Sequence, residues 1–367
     1  MMRKLSDERI QSIIDEFDID GSLKTFERFG GGHINETFRL FNSNNVYPDY
    51  LLQRVNHHVF YDVPKMMKNI QLVIEHISQK SPNSTTLKLI RTKQGASFYQ
   101  DDDGDYWRIF DFKKNTKTYD VVRSTDQAYQ GAKAFGSFLY QMSDFDAQLL
   151  YPSIPDFHNL LVRLDQLTSA SLTATTSRKS RAKDALKTVF SESHKLSEIE
   201  RLKNIGKIPM RVTHNDTKFN NVLLDEKGQA YCVIDLDTVM PGIVHYDFGD
   251  GIRTSTSMSK EDEKDLKNIH FDIAKYEAFT QGYLDGVRGI LSELELKYFP
   301  LSAAMITYMI GVRFLTDYLN NDIYYKIAYE DQNYYRAMCQ LELARQIMGR
   351  HEELGRVIKR INVHLQF

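Results

Sequence analysis

Residues 211–253 read RVTHNDTKFNNVLLDEKGQAYCVIDLDTVMPGIVHYDFGDGIR, a compact island between two long tracts of helical text. Inside it NVLLD, EKG and QAYCVID form strand, turn and strand, a β-hairpin with charged loops at its ends. His214 and Asp216 precede Asn220 and Asn221, and the returning strand delivers Asp235 nineteen residues beyond Asp216. A hairpin brings its outer ends together. Asn221, entering the first strand, and Asp235, leaving the second, are therefore expected side by side with Asp216 nearby.

One divalent cation and one activated hydroxyl require such a set. Phosphoryl transfer needs a carboxylate to orient and deprotonate the attacking hydroxyl, and oxygen ligands to hold Mg²⁺ against the phosphates. Asp216 lies on the loop before the hairpin and is assigned as the base. Asn221 offers an amide oxygen and Asp235 a carboxylate to the metal. Asp237, two residues on, is either a second metal ligand or an acceptor that orders the loop.

Working toward the amino terminus, residues 6–18 place Ile10, Ile13, Ile14 and Phe17 at helical spacing. Residues 22–61 read as three short strands with a glycine turn between the first two, and residues 63–79 as a helix. TLKLIRT and YWRIFDF are two further strand candidates, completing a small antiparallel lobe over residues 1–112. From residue 113 to residue 367 the text is mainly helical, with helices expected at 126–142, 180–204, 265–291, 302–319 and 331–358. LTSASLTATTSRKS, rich in Ser and Thr, reads as a solvated loop or helix start.

HNDTKFNNV followed by VIDLDTVMPG resembles the catalytic loop and metal-binding segment of the aminoglycoside phosphotransferase and choline kinase superfamily. GGHINETF, LLQRVN, IPDFHN and HYDFGDGIR look like its N-acetylhexosamine 1-kinase branch, with matches running from about residue 29 to residue 253. The resemblance implies an α+β, bilobal, protein-kinase-like fold. It also implies ATP and Mg²⁺ as cofactors, and phosphorylation of an N-acetylhexosamine at its anomeric C1 hydroxyl. By the same resemblance His214 braces the catalytic loop, and Arg313 and Tyr324 hold sugar hydroxyls, with His33 reaching the sugar from the glycine turn. A structural salt bridge is the competing role for Arg313. Asp216 and Asn220 are expected at the acceptor. Lys218 either approaches the transferring phosphate or is a solvated surface lysine. Asp247-Phe248-Gly249 spells the protein-kinase metal motif but lies past Pro241 and Gly242, so Asp247 is read as an acceptor that anchors the loop or caps a helix.

At the nucleotide end, Gly30, Gly31, Gly32, His33 and Asn35 form a turn whose backbone N–H groups are placed to cover phosphates; an ordinary hairpin would look the same. It is not a Walker A loop, since no Gly-Lys-Ser/Thr follows. A kinase-like lobe normally offers a lysine on its third strand, but YLLQRVNH has none. Arg54 is the candidate, Gln53 stays open, and Glu75 is a candidate acidic partner. Residues 106–112 are expected as the strand that meets adenine, with Trp107, Ile109 and Phe110 supplying apolar surface and Phe110 and Asp111 at the cofactor.

Lys and Arg, 47, nearly balance Asp and Glu, 49, so no global field draws the chain to nucleic acid or a membrane. The two cysteines, Cys232 and Cys339, are too few to staple a chain of this size and read as buried free thiols. MMRKLSDERIQSIIDEF lacks the apolar core of a signal peptide, and LSAAMITYMIGVRFL is short for a membrane span and carries Arg313. The expectation is a cytoplasmic protein with a small-molecule sugar substrate, monomeric in the simplest case with a homodimer left open. Other small alcohols (choline, ethanolamine, homoserine or an aminoglycoside) are the alternative acceptors. A catalytically silent nucleotide-binding protein is the alternative of another class.

Overall fold

The computed structural model describes residues 5–30, 34–82 and 85–364, the side chain of His364 excepted. Gly31, Gly32 and His33 therefore lie outside the described residues. Helix α1 (Asp7–Ile14) is capped by Ser6, whose side chain accepts from Arg9 N, and buries Ile10, Ile13 and Ile14. It lies on an antiparallel, six-stranded sheet of β1 (Leu23–Arg28), β2 (Glu36–Asn42), β3 (Tyr50–Val55), β4 (Leu89–Ile90), β5 (Tyr99–Gln100) and β6 (Tyr106–Asp111). The strand order is β1-β2-β3-β6-β4, with β5 also on β6.

Alternation along the strands sorts the side chains between two faces. Phe38, Leu40, Leu52, Trp107 and Ile109 join α1 in one apolar cluster. Phe110 belongs to another, with helix α2 (Val63–Lys80) and with Phe138, Leu236 and Val239 of the second lobe. Arg108 and its cross-strand partner Gln53 share the Phe110 face, which roofs the interlobe cleft.

The second lobe holds α3 (Thr125–Gln141), α4 (Leu160–Thr173), α5 (Thr176–Leu196) and α6 (Glu198–Asn204). Four short strands follow, β7 (Arg211–Thr213), β8 (Val222–Leu224), β9 (Ala230–Val233) and β10 (Met240–Gly242). The chain ends in α7 (Val244–Ser255), α8 (Ile273–Val287), α9 (Glu293–Lys297), α10 (Phe299–Leu319), α11 (Gln332–Gly349) and α12 (His351–His364). The bilobal α+β architecture expected from the sequence is present: a small antiparallel sheet, then a larger helical body. Helix α10 is long and apolar enough to cross a membrane, but 89% of its apolar window is buried inside the molecule, which makes it a core helix.

Some boundaries differ from the sequence reading. The Ser/Thr-rich tract is mostly helix, covering the end of α4 and the start of α5. Thr168 and Ser169 satisfy their hydroxyls on the carbonyls of Leu164 and Asp165 at 2.9 and 3.0 Å, while Leu167 and Ala170 are buried. The expected helix 265–291 starts only at Ile273, where Asp272 caps Lys275 N at 3.1 Å. The expected helix 331–358 is two helices, broken at Arg350.

Candidate active site

Strands β7 and β10 pair antiparallel, Thr213 with Met240 and Arg211 with Gly242, and set the base of the loop that carries Asp216. A Cβ on Gly242 would meet Thr213 Oγ1 at 2.2 Å, so this close approach requires glycine. Asn215 takes φ 64°, a left-handed conformation that asparagine tolerates better than most residues. Its side chain is fixed by donating to Thr213 O at 3.1 Å and Thr238 O at 3.0 Å. Helix α7 holds the loop from below: Asp247 accepts His214 N at 2.9 Å and Asn215 N at 2.7 Å, and Asp250 accepts Thr217 N at 3.1 Å. From the side, His158 Nε2 donates to Asn215 O at 2.8 Å.

Asp216 follows directly. Asn221 Nδ2 donates to its backbone oxygen at 2.8 Å and to its Oδ2 at 3.1 Å. Because the amide nitrogen is committed to Asp216, the amide oxygen of Asn221 faces the other way, available to a cation. Lys218 Nζ stands 2.8 Å from Asp216 Oδ1, half exposed at the loop surface. His214 is buried; its Nε2 donates to Ile234 O at 3.0 Å, and its Nδ1 accepts Asp216 N at 3.3 Å. It thus ties the Asp216 loop to the end of β9, just before Asp235. Ile234 N donates to Asn221 O at 2.9 Å and brings the two ends of the hairpin together.

Asp235 adopts φ 61° and is exposed, beside the buried Leu236 and Asp237. Crowding by protein on its other sides, and then the negative charges of Asp237 and Asp216, push its pKa up to about 7. A carboxylate whose charge is opposed in this way has a use for a cation. Among the described residues no group of three or more His, Cys, Asp or Glu side chains is arranged to hold a metal. The donor set that fits Mg²⁺ is a mixed one, the Asn221 amide oxygen with the Asp235 carboxylate, both oxygen ligands of the kind that ion takes. Asp237 is differently placed. It is buried, its Oδ1 lies 2.5 Å from Arg108 Nη1, and its Oδ2 accepts Asn35 Nδ2 at 2.8 Å.

The structure does not bring every expected residue to the cleft. Arg54 sits on the α1 side of the sheet, buried in ion pairs with Glu36 and with Asp105, the latter at 3.1 Å, because its strand position shares a face with Leu52. Gln53 is on the cleft side and accepts Arg108 Nε at 3.0 Å. Glu75 points to solvent and pairs with Arg91 at 2.9 Å. Asn35 reaches the cluster through Asp237. The Phe110 ring is buried in the apolar cluster between the lobes, and Asp111 caps Lys88 N at 2.7 Å and pairs with Lys113 at 2.7 Å. Asn220 turns its amide toward Asp120 at 3.4 Å.

Arg313 and Thr316 alone among the 21 residues of α10 escape full burial. The Arg313 guanidinium lies over the rings of Phe157 and Tyr325, at 5.2 and 5.9 Å, with no carboxylate paired to it among the described residues. Tyr324 is exposed beside Tyr325. Sequence reasoning did not single out Arg108, although an arginine within the apolar strand text YWRIFDF is the same signal that drew attention to Arg313.

Residues 25–281 match the model of the phosphotransferase enzyme family. Three solved structures superpose over nearly the whole chain. An aminoglycoside phosphotransferase from Alicyclobacillus acidocaldarius is 12% identical with a TM-score of 0.65, covering 96% of this chain and 98% of its own. A choline kinase from Cryptosporidium parvum is 14% identical with a TM-score of 0.60, covering 99% and 100%. A microcompartment-associated aminopropanol kinase is 13% identical with a TM-score of 0.59, covering 95% and 99%. At these identities the likeness speaks to the fold, which is the bilobal kinase-like one.

Proposed function

The chain belongs to the phosphotransferase enzyme family, and on that premise we propose that it moves the γ-phosphoryl group of ATP to the anomeric C1 hydroxyl of an N-acetylhexosamine. The observation that supports the phosphoryl-transfer reading is the bond from Asn221 Nδ2 to Asp216 Oδ2, 3.1 Å, with the exposed Asp235 following Ile234, whose N–H donates to Asn221 O at 2.9 Å. The acceptor O–H would donate to Asp216, whose side chain is partly open to the cleft. As the oxygen attacks phosphorus, the proton passes to Asp216, the bond between the β and γ phosphates breaks, and ADP leaves. Bound between Asn221 and Asp235, Mg²⁺ would neutralise charge on the phosphates. Lys218, paired with Asp216, would follow the transferred group. The sugar C1–O bond is kept, so the anomeric configuration is unchanged.

The identity of the acceptor rests on the motif resemblance, and one observation favours it over cationic alternatives. Arg313, with no carboxylate paired to it among the described residues, brings a positive charge into an aromatic setting, which suits sugar hydroxyls and an acetamido oxygen and disfavours choline, ethanolamine or an aminoglycoside. The test is ATP consumption over free amino sugars, plain hexoses, choline and homoserine, with phosphorus NMR locating the new ester. A C1 phosphate on N-acetylglucosamine or N-acetylgalactosamine is expected. If neither sugar is phosphorylated there, while another alcohol is, the specific acceptor is wrong and the kinase reading stands.

A further inference from the structure

The cleft face of the sheet has no β3 lysine to fix the nucleotide end, and α2 brings no carboxylate to meet one. Arg108 of β6 projects from this face instead. Its Nη1 lies 2.5 Å from Asp237 Oδ1 and 3.7 Å from Met67 Sδ of α2, and its Nε donates to Gln53 Oε1 at 3.0 Å. The two charged side chains are 2% and 3% exposed. The other oxygen of Asp237 accepts Asn35 Nδ2 at 2.8 Å, and Asn35 Oδ1 accepts Asn56 N at 3.0 Å. Ser153 Oγ donates to Asp237 O at 3.0 Å. One oxygen of the Asp237 carboxylate is therefore ion-paired with Arg108 and the other accepts from Asn35, both residues of the sheet lobe, although Asp237 stands only two residues beyond Asp235.

A buried ion pair is weak evidence for stability, and its best-attested use is to fix one arrangement over others. Here it joins three parts: the sheet through Arg108, the turn between β1 and β2 through Asn35, and the short helical turn Leu236–Thr238 that follows Asp235. We infer that Arg108 and Asp237 form a lobe clasp, in which Arg108 is a positioning residue that sets the stance of Asp235, and Asp237 acts as its acceptor and not as a metal ligand. This rests on the phosphotransferase reading given above.

The test is calorimetric binding of a non-hydrolysable ATP analogue, with and without Mg²⁺, to the wild-type protein and to Arg108→Met, Arg108→Lys, Asp237→Asn and the double variant Arg108→Met/Asp237→Asn. Loss of a residue that orients a metal ligand typically weakens metal affinity about 10- to 100-fold. Each neutralising single variant is expected to weaken Mg²⁺-nucleotide binding by that factor while leaving Mg²⁺-free binding nearly unchanged. Arg108→Lys should recover most of the loss, and the double variant should be no weaker than the weaker single, because both act through one contact. Losses that multiply in the double variant would overturn the clasp, as would equal weakening with and without Mg²⁺. So would an Asp237→Asn defect with Arg108→Met binding normally, which would make Asp237 a ligand. If Arg108→Met does not fold, because it strands a buried carboxylate, the double variant decides: normal Mg²⁺-nucleotide affinity there refutes the clasp. A wild-type protein that binds no nucleotide would instead remove the phosphotransferase reading, and the clasp with it.

Discussion

Asp216 is held by two neighbours of different kinds, the Asn221 amide at 3.1 Å and the Lys218 ammonium at 2.8 Å. Both hold its carboxylate oxygens in one orientation, which a general base needs. Replacing it with asparagine keeps the shape and the Asn221 contact but removes the proton acceptor. Turnover of Asp216→Asn is expected to fall about 10²- to 10⁴-fold, with nucleotide affinity close to wild type; steady-state kinetics beside calorimetry checks both, and retained turnover would remove Asp216 as the base. The grouping of Asp216, Asn221 and Asp235 was legible because a hairpin closes its own ends, and spacing alone reports that. Arg108 was not legible in the same way. Its significance depends on which face of a strand it occupies and on a partner in the other lobe, and neither is written in local spacing. Arg54 illustrates the same limit: one step of strand alternation separates the cleft from the α1 side.

At the scale of elements, the loop that carries Asp216 is braced from three directions, by α7 through Asp247 and Asp250, by the segment before α4 through His158, and by the end of β9 through His214. His158 and His214 are buried, and burial lowers both pKa values, that of His158 to about 4. His245 of α7, donating to Glu295 O at 3.0 Å, is lowered to about 4 by burial as well. The His158 and His245 rings stay neutral in the fold but take up protons near pH 6.5 when unfolded, so between about pH 4 and 6.5 these two sites bind more protons in the unfolded chain. The stability they contribute is complete above pH 6.5 and is lost as pH falls toward 4, at up to about 1.4 kcal/mol per pH unit for each ring. Asp235 and Asp247, both raised to about 7 by burial, act with the opposite sign over the same range, so the test is differential: in urea unfolding at pH 7.5, 6 and 5 the stability advantage of the wild type over His158→Gln should shrink as pH falls, and a difference that does not vary with pH would contradict this. The hairpin and the amphipathic α1 and α2 were readable from period and turn residues. Of the two readings of the Ser/Thr tract, the helix start holds at Thr175, which caps α5, whereas the loop reading fails over residues 167–173, where hydroxyls are satisfied on the preceding turn of a half-buried helix.

Across the whole molecule, the two lobes meet over an apolar seam of Phe110, Phe138, Leu236 and Val239, and Asn69 of α2 reinforces it by donating to Val239 O at 3.1 Å. The seam holds the sheet directly above the hairpin, so Asp216 and Asp235 lie on one side of the cleft between them and Asn35 on the other. The division into a small sheet lobe and a helical body could be read from the change in periodicity along the chain, whereas the seam depends on contacts distant in sequence. The central claim is that this cleft grips a divalent ion beside a triphosphate. It is tested most directly by crystals of the protein with Mn²⁺ and a non-hydrolysable ATP analogue, imaged by anomalous scattering. A manganese peak about 2.2 Å from both Asn221 Oδ1 and an Asp235 oxygen is expected, by analogy with hard-cation oxygen ligation, with the terminal phosphate on the Asp216 side. A peak held elsewhere, or a nucleotide bound away from these three side chains, would contradict it.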